Sequence, residues 1–313
     1  MAYIIDEKIT RSILDMPKAV KLVEDIFNDR AAGKVRSLPR RRLKGSEKQL
    51  NVMAAWQASS DLICLRAYAA EANTVTLYNG RTGQIQAIID MGYLSSLRTG
   101  AASGVAAKYL APAKSEVMGL IGPGWQATLQ VEAIAHSCPI RQVSVFGRDP
   151  KKIKKFISEM RKSIEVEWKE AASVEEIEAE SDILVVATDA STPVTYGTKL
   201  KNEVLVVSMG ANQSVKHEVS VDLIRKMDLV VTDDLATAQG DSGDLIAACG
   251  AGIIRWEDVI PLEKIVVGGV SENRPKKILF QSNGIADEDL AVGRYVLEQV
   301  RRKKIKTRKI SEI

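Results

Sequence analysis

The chain has 313 residues, of which 45% are hydrophobic and 27% charged, and a formal net charge of +4. That length suits two domains with ample core, and so small and dispersed a charge does not argue for a nucleic-acid partner. No run of about 18 apolar residues occurs, so no membrane span is expected, and the opening Met1-Ala2-Tyr3-Ile4-Ile5-Asp6 lacks the basic start and long apolar core of a secretory leader. Cys64, Cys138 and Cys249 are odd in number and have no metal-ligand spacing, which predicts reduced, buried thiols and a cytoplasmic location. Two histidines, His136 and His217, exclude a histidine-rich metal site and argue against a histidine triad.

In chain order, residues 16–30 read as an amphipathic helix with Val20, Val23 and Phe27 on one face. Arg40-Arg41-Arg42 then precedes an apolar stretch and is either a charged surface strand or part of a site. Residues 50–57, 61–69, 74–79 and 84–90 read as four strands, the last two joined as a hairpin by Asn79-Gly80-Arg81-Thr82-Gly83. A small-residue helix, 97–110, follows. Arg98 and Thr99 stand at its expected start, where free N–H groups favour anions.

The run Val117-Met118-Gly119-Leu120-Ile121-Gly122-Pro123-Gly124-Trp125-Gln126-Ala127 is a strand that turns into a helix through Gly-x-Gly-x-x-Ala. Gly122 permits the tight turn, Gly124 lets the backbone approach a phosphate, and Ala127 keeps helix and strand close. Further strands are expected at 141–146, 181–188, 203–209 and 228–232, separated by helices at 128–137, 149–164, 173–179 and 219–226. Short apolar strands alternating with helices predict a parallel sheet covered on both faces. Asp149-Pro150 is a helix start, a capping acceptor before proline. Asp233 and Asp234 are adjacent, so their side chains diverge, and they read as helix caps. Asp241-Ser242-Gly243-Asp244 reads as a turn and cap with no chemistry. The basic tail, 301–309, reads as the solvated end of a helix that starts at Asp287.

Three stretches in order resemble signatures of the ornithine cyclodeaminase/mu-crystallin family. They are Arg98-Thr99-Gly100-Ala101-Ala102-Ser103, Ile121-Gly122-Pro123-Gly124-Trp125-Gln126-Ala127, and Phe280-Gln281-Ser282-Asn283-Gly284-Ile285-Ala286-Asp287-Glu288-Asp289. The resemblance covers nearly the whole chain. It implies an α/β protein with a Rossmann doubly wound parallel sheet at 117–287. An α+β substrate and dimerisation domain, 1–116, would be completed by the C-terminal helix, 288–313. It also implies a homodimer whose N-terminal sheets form a shared barrel, and a small imino or amino acid bound between domains against a nicotinamide. The family includes ornithine and lysine cyclodeaminases, alanine dehydrogenases, ketimine and pyrroline-2-carboxylate reductases, and mu-crystallin. The signatures therefore fix the family and not the reaction.

The resemblance implies carboxylate capture by Arg98 and by an arginine after Pro39, for which Arg41 fits best and Arg40 second. A planar guanidinium suits that task through paired hydrogen bonds. Three departures narrow the chemistry. Arg66 stands where deaminating members carry a lysine, Asn212 where they carry an aspartate, and Asn51 near the glutamate that serves ornithine's ammonium. Arginine is not deprotonated in proteins, and asparagine accepts no proton. Cyclodeamination and alanine dehydrogenation both need such transfers, whereas a preformed cyclic imine needs mainly a carboxylate clamp and a hydride. The expected activity is thus reduction of Δ1-pyrroline-2-carboxylate or Δ1-piperideine-2-carboxylate to L-proline or L-pipecolate, with Arg66 on the substrate carboxylate. The alternatives are an ornithine cyclodeaminase, an alanine dehydrogenase, and a mu-crystallin-like protein that binds NADPH and a small molecule.

For the cofactor, Gly147 occupies the place of the acid that would hold an NAD ribose, and Arg148 follows it. That favours NADPH, with NADH as the alternative if Asp149 reaches the ribose. Besides Gly122, Gly124, Trp125, Gln126 and Ala127 of the turn, the cofactor contacts expected are Thr99, Thr188, Ser208, Met209, Gly210 and Ser282. No metal is expected.

Overall fold

The computed structural model describes residues 1–70, 72–270 and 274–310. In chain order they form β1 (Ala2–Ile5), α1 (Glu7–Ile13), α2 (Met16–Ala31), β2 (Val35–Lys44), β3 (Gln49–Gln57), β4 (Leu62–Tyr68), β5 (Asn73–Asn79), β6 (Ile85–Asp90) and α3 (Gly92–Leu110). Next come β7 (Val117–Ile121), α4 (Ala127–Ser137), β8 (Gln142–Phe146), α5 (Pro150–Met160), β9 (Glu167–Glu170), α6 (Val174–Glu180), β10 (Ile183–Val186) and β11 (Val204–Ser208). The chain continues through α7 (Val221–Ile224), β12 (Leu229–Thr232), α8 (Leu235–Asp241), α9 (Gly243–Gly250), β13 (Val259–Pro261), α10 (Leu262–Gly268), β14 (Lys277–Gln281), α11 (Ala286–Arg302) and β15 (Arg308–Ile310). No helix among the described residues is long and apolar enough to cross a membrane.

The chain divides into two compact units, Met1–Ala101 with Gly284–Ile313, and Ala102–Asn283. The first division falls inside α3, fifteen residues before the expected joint at 116, and the second falls at 283 rather than 287. Residues 311–313, assigned to the first domain from the sequence, lie outside the described residues.

In the first unit the described strands form a seven-stranded sheet in the order β15-β1-β6-β5-β4-β3-β2. Strands β2 to β6 run as an antiparallel meander, because short turns can join only antiparallel neighbours. Strand alternation buries Met53, Ala55 and Gln57 of β3, with Leu62, Cys64 and Arg66 of β4, on one face. Helix α11 packs across that face, against β2 to β5. Arg42 pairs with Asn51, Asn51 with Tyr68, and Met53 with Arg66, so these positions share it.

Two expectations here are corrected. The basic tail is not all helix end: α11 stops at Arg302, Lys304 turns the chain at φ +51°, and β15 pairs antiparallel with β1. The short strand β1, unforeseen in the sequence, is what receives it. Helix α3 begins at Gly92, whose N–H is capped by Asp90 Oδ1 at 2.8 Å. Arg98 and Thr99 therefore lie nearly two turns inside the helix, not at its N-terminus, and Thr99 donates its hydroxyl to Ser95 O at 2.8 Å.

The second unit holds an eight-stranded sheet among the described residues, in the order β13-β12-β14-β11-β10-β7-β8-β9. Every pairing in it is parallel. Strands β10 and β11 are buried at every residue, as expected of central strands covered on both faces. The chain steps outward from β7 through β8 to β9, then returns to β10 on the other side of β7. The crevice beyond the carboxyl ends of β7 and β10 is thus the topological switch point, where such sheets bind ligands. Cys64 is fully buried, but Cys138 and Cys249 are only half-buried, contrary to expectation; all three are free thiols.

Candidate active site

A cleft of about 690 Å³ opens at the switch point, and Gly122, Gly124, Arg148, Asp149, Lys152 and Thr188 line it. Gly122 takes φ +94°, a conformation that suits glycine, and a Cβ there would stand 2.6 Å from Ala187 O. At Gly124 a Cβ would meet nothing closer than Ala187 O at 4.0 Å, so its missing side chain leaves open room above the turn. Helix α4 starts at Ala127 after Gln126, and no side chain caps its N-terminus. Uncapped N–H groups beside a bare glycine backbone fit an anion such as a pyrophosphate.

The absence of an acid at Gly147 has a steric cause. A Cβ at Gly147 would lie 2.8 Å from Pro123 Cδ of the glycine turn, so no acidic side chain fits. Asp149 is occupied as the cap of α5, accepting from Lys151 N at 2.9 Å. The exposed Arg148 and the neighbouring Lys152 give this end of the cleft positive charge. Trp125 is 68% exposed, and nothing in the structure explains it.

The strand ends expected at the nicotinamide are gathered by a residue that sequence reasoning missed. Glu218, fully buried, accepts from Thr188 N, Thr188 Oγ1 at 2.7 Å, Ser208 Oγ at 3.1 Å, Met209 N at 3.1 Å and Gly210 N. Asp244, also buried, accepts from Glu218 N at 3.0 Å and Val219 N at 3.4 Å, and its Oδ2 lies 3.3 Å from Ser208 Oγ. Ser242 caps α9 as expected, but Asp244 does more than mark a turn. Nothing local in the sequence announces that residue 244 reaches residue 218.

Ser282 N donates to Ser208 O at 2.9 Å, extending this gathering to the end of β14. Its hydroxyl is buried and has no hydrogen-bond partner among the described residues. Asp234 caps α8 as expected, whereas Asp233 instead accepts from Asn283 N at 2.6 Å and so pins the turn after β14. Asn212 lies half-buried in the loop beyond β11.

In the first unit the opening turn of α11 presents three fully buried carboxylates, Asp287, Glu288 and Asp289. A helix N-terminus favours such charges, and arginines meet them. Arg30 pairs with Asp287. Arg98 donates from Nε to Asp289 Oδ1 at 2.9 Å and from NH1 to Glu288 Oε2 at 2.8 Å. Arg98, expected to grip a substrate carboxylate, thus already holds two protein carboxylates. Burial opposes its charge, but Asp289 and Glu288 outweigh burial and hold its pKa above the ordinary value. Gly284, at φ +74°, is where a side chain would collide with the Arg98 guanidinium.

Arg66 is different. It is 2% exposed, stands 3.7 Å from Asp289 Oδ2, donates from NH2 to Ser95 Oγ at 3.2 Å, and lies 5.0 Å above the Tyr68 ring. Burial first and Arg98 also push its pKa down, against Asp289. Its NH1 is buried with no hydrogen-bond partner among the described residues, a costly state for a cationic donor unless an anion completes it.

The arginine run also resolves residue by residue. Arg40 is buried and donates from NH2 to Gly284 O at 2.7 Å, whereas Arg41, the favoured position, is exposed. Adjacent strand residues point to opposite faces, so only one of the two can face α11. Asn51 shares the face of Arg66 but donates to Tyr68 O at 3.3 Å and accepts from Gln49 at 2.9 Å.

A profile of the ornithine cyclodeaminase/mu-crystallin family matches residues 5–304. The alanine dehydrogenase of Archaeoglobus fulgidus is 31% identical, over 96% of this chain and 96% of its own length. Among solved structures, Thermococcus litoralis Δ1-pyrroline-2-carboxylate reductase in complex with NADH and L-proline is similar with a TM-score of 0.93 at 27% identity, covering 98% of this chain and all of that one. An archaeal alanine dehydrogenase dimer with bound NAD gives a TM-score of 0.91 at 28% identity, covering 100% of this chain and 99% of that one.

Proposed function

This chain belongs to the ornithine cyclodeaminase/mu-crystallin family, and from that premise we propose that it is an NAD(P)H-dependent reductase of cyclic imino acids. Its substrate would be Δ1-pyrroline-2-carboxylate or its six-membered homologue, and its product L-proline or L-pipecolate. The observation that carries the reading is Arg66, a buried cation with an unpaired N–H, at a position where the family resemblance implies a lysine in deaminating members. A fixed cation can clamp a carboxylate but cannot relay protons.

When bound, the nicotinamide supplies the hydride. The protein's own residues supply the rest. Gly122, Gly124 and the start of α4 take the pyrophosphate. Arg148 and Lys152 favour a 2′-phosphate, hence NADPH, with NADH as the alternative, since Gly147 leaves no acid to hold a free ribose. Arg66 and Arg40, with the uncommitted edge of Arg98, receive the substrate carboxylate through charge-assisted hydrogen bonds. Asn212 acts as a polar neighbour that neither gives nor takes a proton. The iminium nitrogen arrives protonated, so hydride addition to its carbon needs no proton transfer, and catalysis rests on proximity and charge complementarity.

A homodimer is part of this reading. Among the described residues strand β2 is an open sheet edge, and its Leu38 and Leu43 are 67% and 70% exposed, which suits cover by a second copy. A cytoplasmic setting accords with the three free thiols.

A second reading, alanine dehydrogenase, is favoured by the relative that is 31% identical over nearly the whole chain. Purified protein given NADPH or NADH with Δ1-pyrroline-2-carboxylate, and oxidised cofactor with alanine, ornithine or proline, separates them. Oxidation of reduced cofactor by the cyclic imine, with no ammonia from alanine or ornithine, is the expected result. Ammonia from alanine would favour the second reading. Tight NADPH binding with no turnover anywhere would make the protein a binder.

A further inference from the structure

The ends of β10 and β11 are tied to one buried carboxylate that the reaction above does not use. Glu218 draws in five donors from Thr188, Ser208, Met209 and Gly210, and a Cβ on Gly210 would stand 2.6 Å from its carboxyl group. Thr188 lines the cleft, so this carboxylate sets the shape of the cleft's wall.

A second buried acid shares one of those donors. Ser208 Oγ lies 3.1 Å from Glu218 Oε2 and 3.3 Å from Asp244 Oδ2. A hydroxyl has a single hydrogen, so it can donate to only one of them. Both contacts are hydrogen bonds only when one acid is protonated and donates to Ser208. Glu218 faces five donors, which favour its ionised form, whereas Asp244 faces two backbone N–H groups.

We propose that Glu218 and Asp244 share one proton through Ser208, held by Asp244, and that the pair is a positioning device fixing Thr188 and residues 208–210 for the nicotinamide end of the cofactor. Asp244 donates to Ser208, Ser208 donates to Glu218, and Glu218 holds the two strand ends together. Burial first and the charge of Glu218 second push Asp244 up to about 7, and burial likewise raises Glu218. His217, partly exposed, has Nδ1 at 3.6 Å from Asp244 Oδ1. Other charged groups lie on the surrounding segments. Lys216 pairs with Asp189, the exposed Asp222 of α7 lies 3.8 Å from Arg225, Asp234 caps α8, and the buried Asp241 has partners of its own. Loss of the shared proton would put two buried carboxylates against one hydroxyl and loosen the strand ends.

This proposal rests on the nicotinamide-cofactor reading, and the test separates the two. NADPH, NADH and 2′,5′-ADP, which carries the adenosine and its phosphates but no nicotinamide half, are titrated against wild type, Glu218→Gln and Asp244→Asn between about pH 5 and about pH 9. Thermal unfolding of the unliganded proteins is recorded over the same range. Glu218→Gln places an amide N–H against backbone N–H groups, so NADPH binding weakens about tenfold or more while 2′,5′-ADP binding holds. Wild-type affinity for NADPH falls as pH climbs through about 7. Asp244→Asn, whose amide donates to Ser208 as the protonated acid does, keeps the low-pH affinity across the range and shows a flatter unfolding profile. Glu218→Gln with wild-type NADPH affinity, or Asp244→Asn already weakened at low pH, overturns the proposal, the second by placing the proton on Glu218. If Glu218→Gln does not fold, the profile of Asp244→Asn alone decides. Failure of wild type to bind NADPH and NADH alike overturns the cofactor reading and the positioning role with it.

Discussion

Arg66 and Arg98 show how far two buried arginines can differ in what they leave available. Arg98 spends Nε and NH1 on Asp289 and Glu288, so its first duty is to hold the start of α11. Arg98→Met should therefore destabilise the protein by about 3–5 kcal/mol, because two buried carboxylates lose a charged, hydrogen-bonded partner; denaturant unfolding measures this. Arg66 keeps a buried N–H unsatisfied, and Arg66→Ala should raise the Michaelis constant for the imino acid about tenfold or more. Arg66→Lys should retain part of that binding, and an unchanged Michaelis constant in Arg66→Ala would remove the residue from the site. At this scale the sequence showed residue types but not their directions. The choice between Arg40 and Arg41 turns on one strand alternation near an irregularity in the β2–β3 pairing, which spacing alone does not locate. Glu218 and Asp244 were illegible because their meeting, across 26 positions, is made by tertiary packing.

Elements with strong local causes were legible. The apolar runs of β7, β8, β10, β11 and β12 read as parallel strands because each is buried on both faces. The start of α5 was legible because Asp149 and Pro150 act within one turn. The failures share a cause as well. Strands β1 and β15 span four and three residues and exist because each pairs with another strand, which no local pattern encodes. The glycine turn is the element on which cofactor binding depends. Gly122→Ala forces a side chain into φ +94° and within 2.6 Å of Ala187 O. It should cost about 1–3 kcal/mol of stability and abolish NADPH binding, read by cofactor fluorescence. Wild-type affinity in that variant would mean the cofactor does not lie over this turn.

At the scale of the whole molecule, the buried acids impose opposing pH dependences. Asp244 has a folded pKa of about 7 against an ordinary value of 3.8, so the folded protein keeps a proton that the unfolded chain has released. Its contribution to stability is full below about pH 4 and is lost as pH rises through about 7. Glu178 acts in the other sense. Burial opposes its charge, but hydrogen bonds from Thr195, Lys199, Gly197 and Thr198 hold its pKa below the usual range, so its contribution is lost on acidification. The difference between wild type and Asp244→Asn isolates the first effect. Wild type should lose stability relative to the variant between about pH 4 and about pH 7, and a constant difference would contradict a neutral Asp244. A glycine-turn sheet and an antiparallel meander have different hydrophobic periods, which is why the sequence suggests two kinds of sheet, while no period reports that the division between the two compact units falls at Ala101.

In the proposed reaction hydride passes to the carbon of a cyclic imino acid. Its most direct test is to supply NADPH carrying deuterium at the transferable position together with Δ1-pyrroline-2-carboxylate, and to analyse the product by mass spectrometry and chiral chromatography. The expected product is L-proline with deuterium on the α-carbon, one molecule per cofactor oxidised. Unlabelled product, or cofactor oxidation without proline, would contradict it.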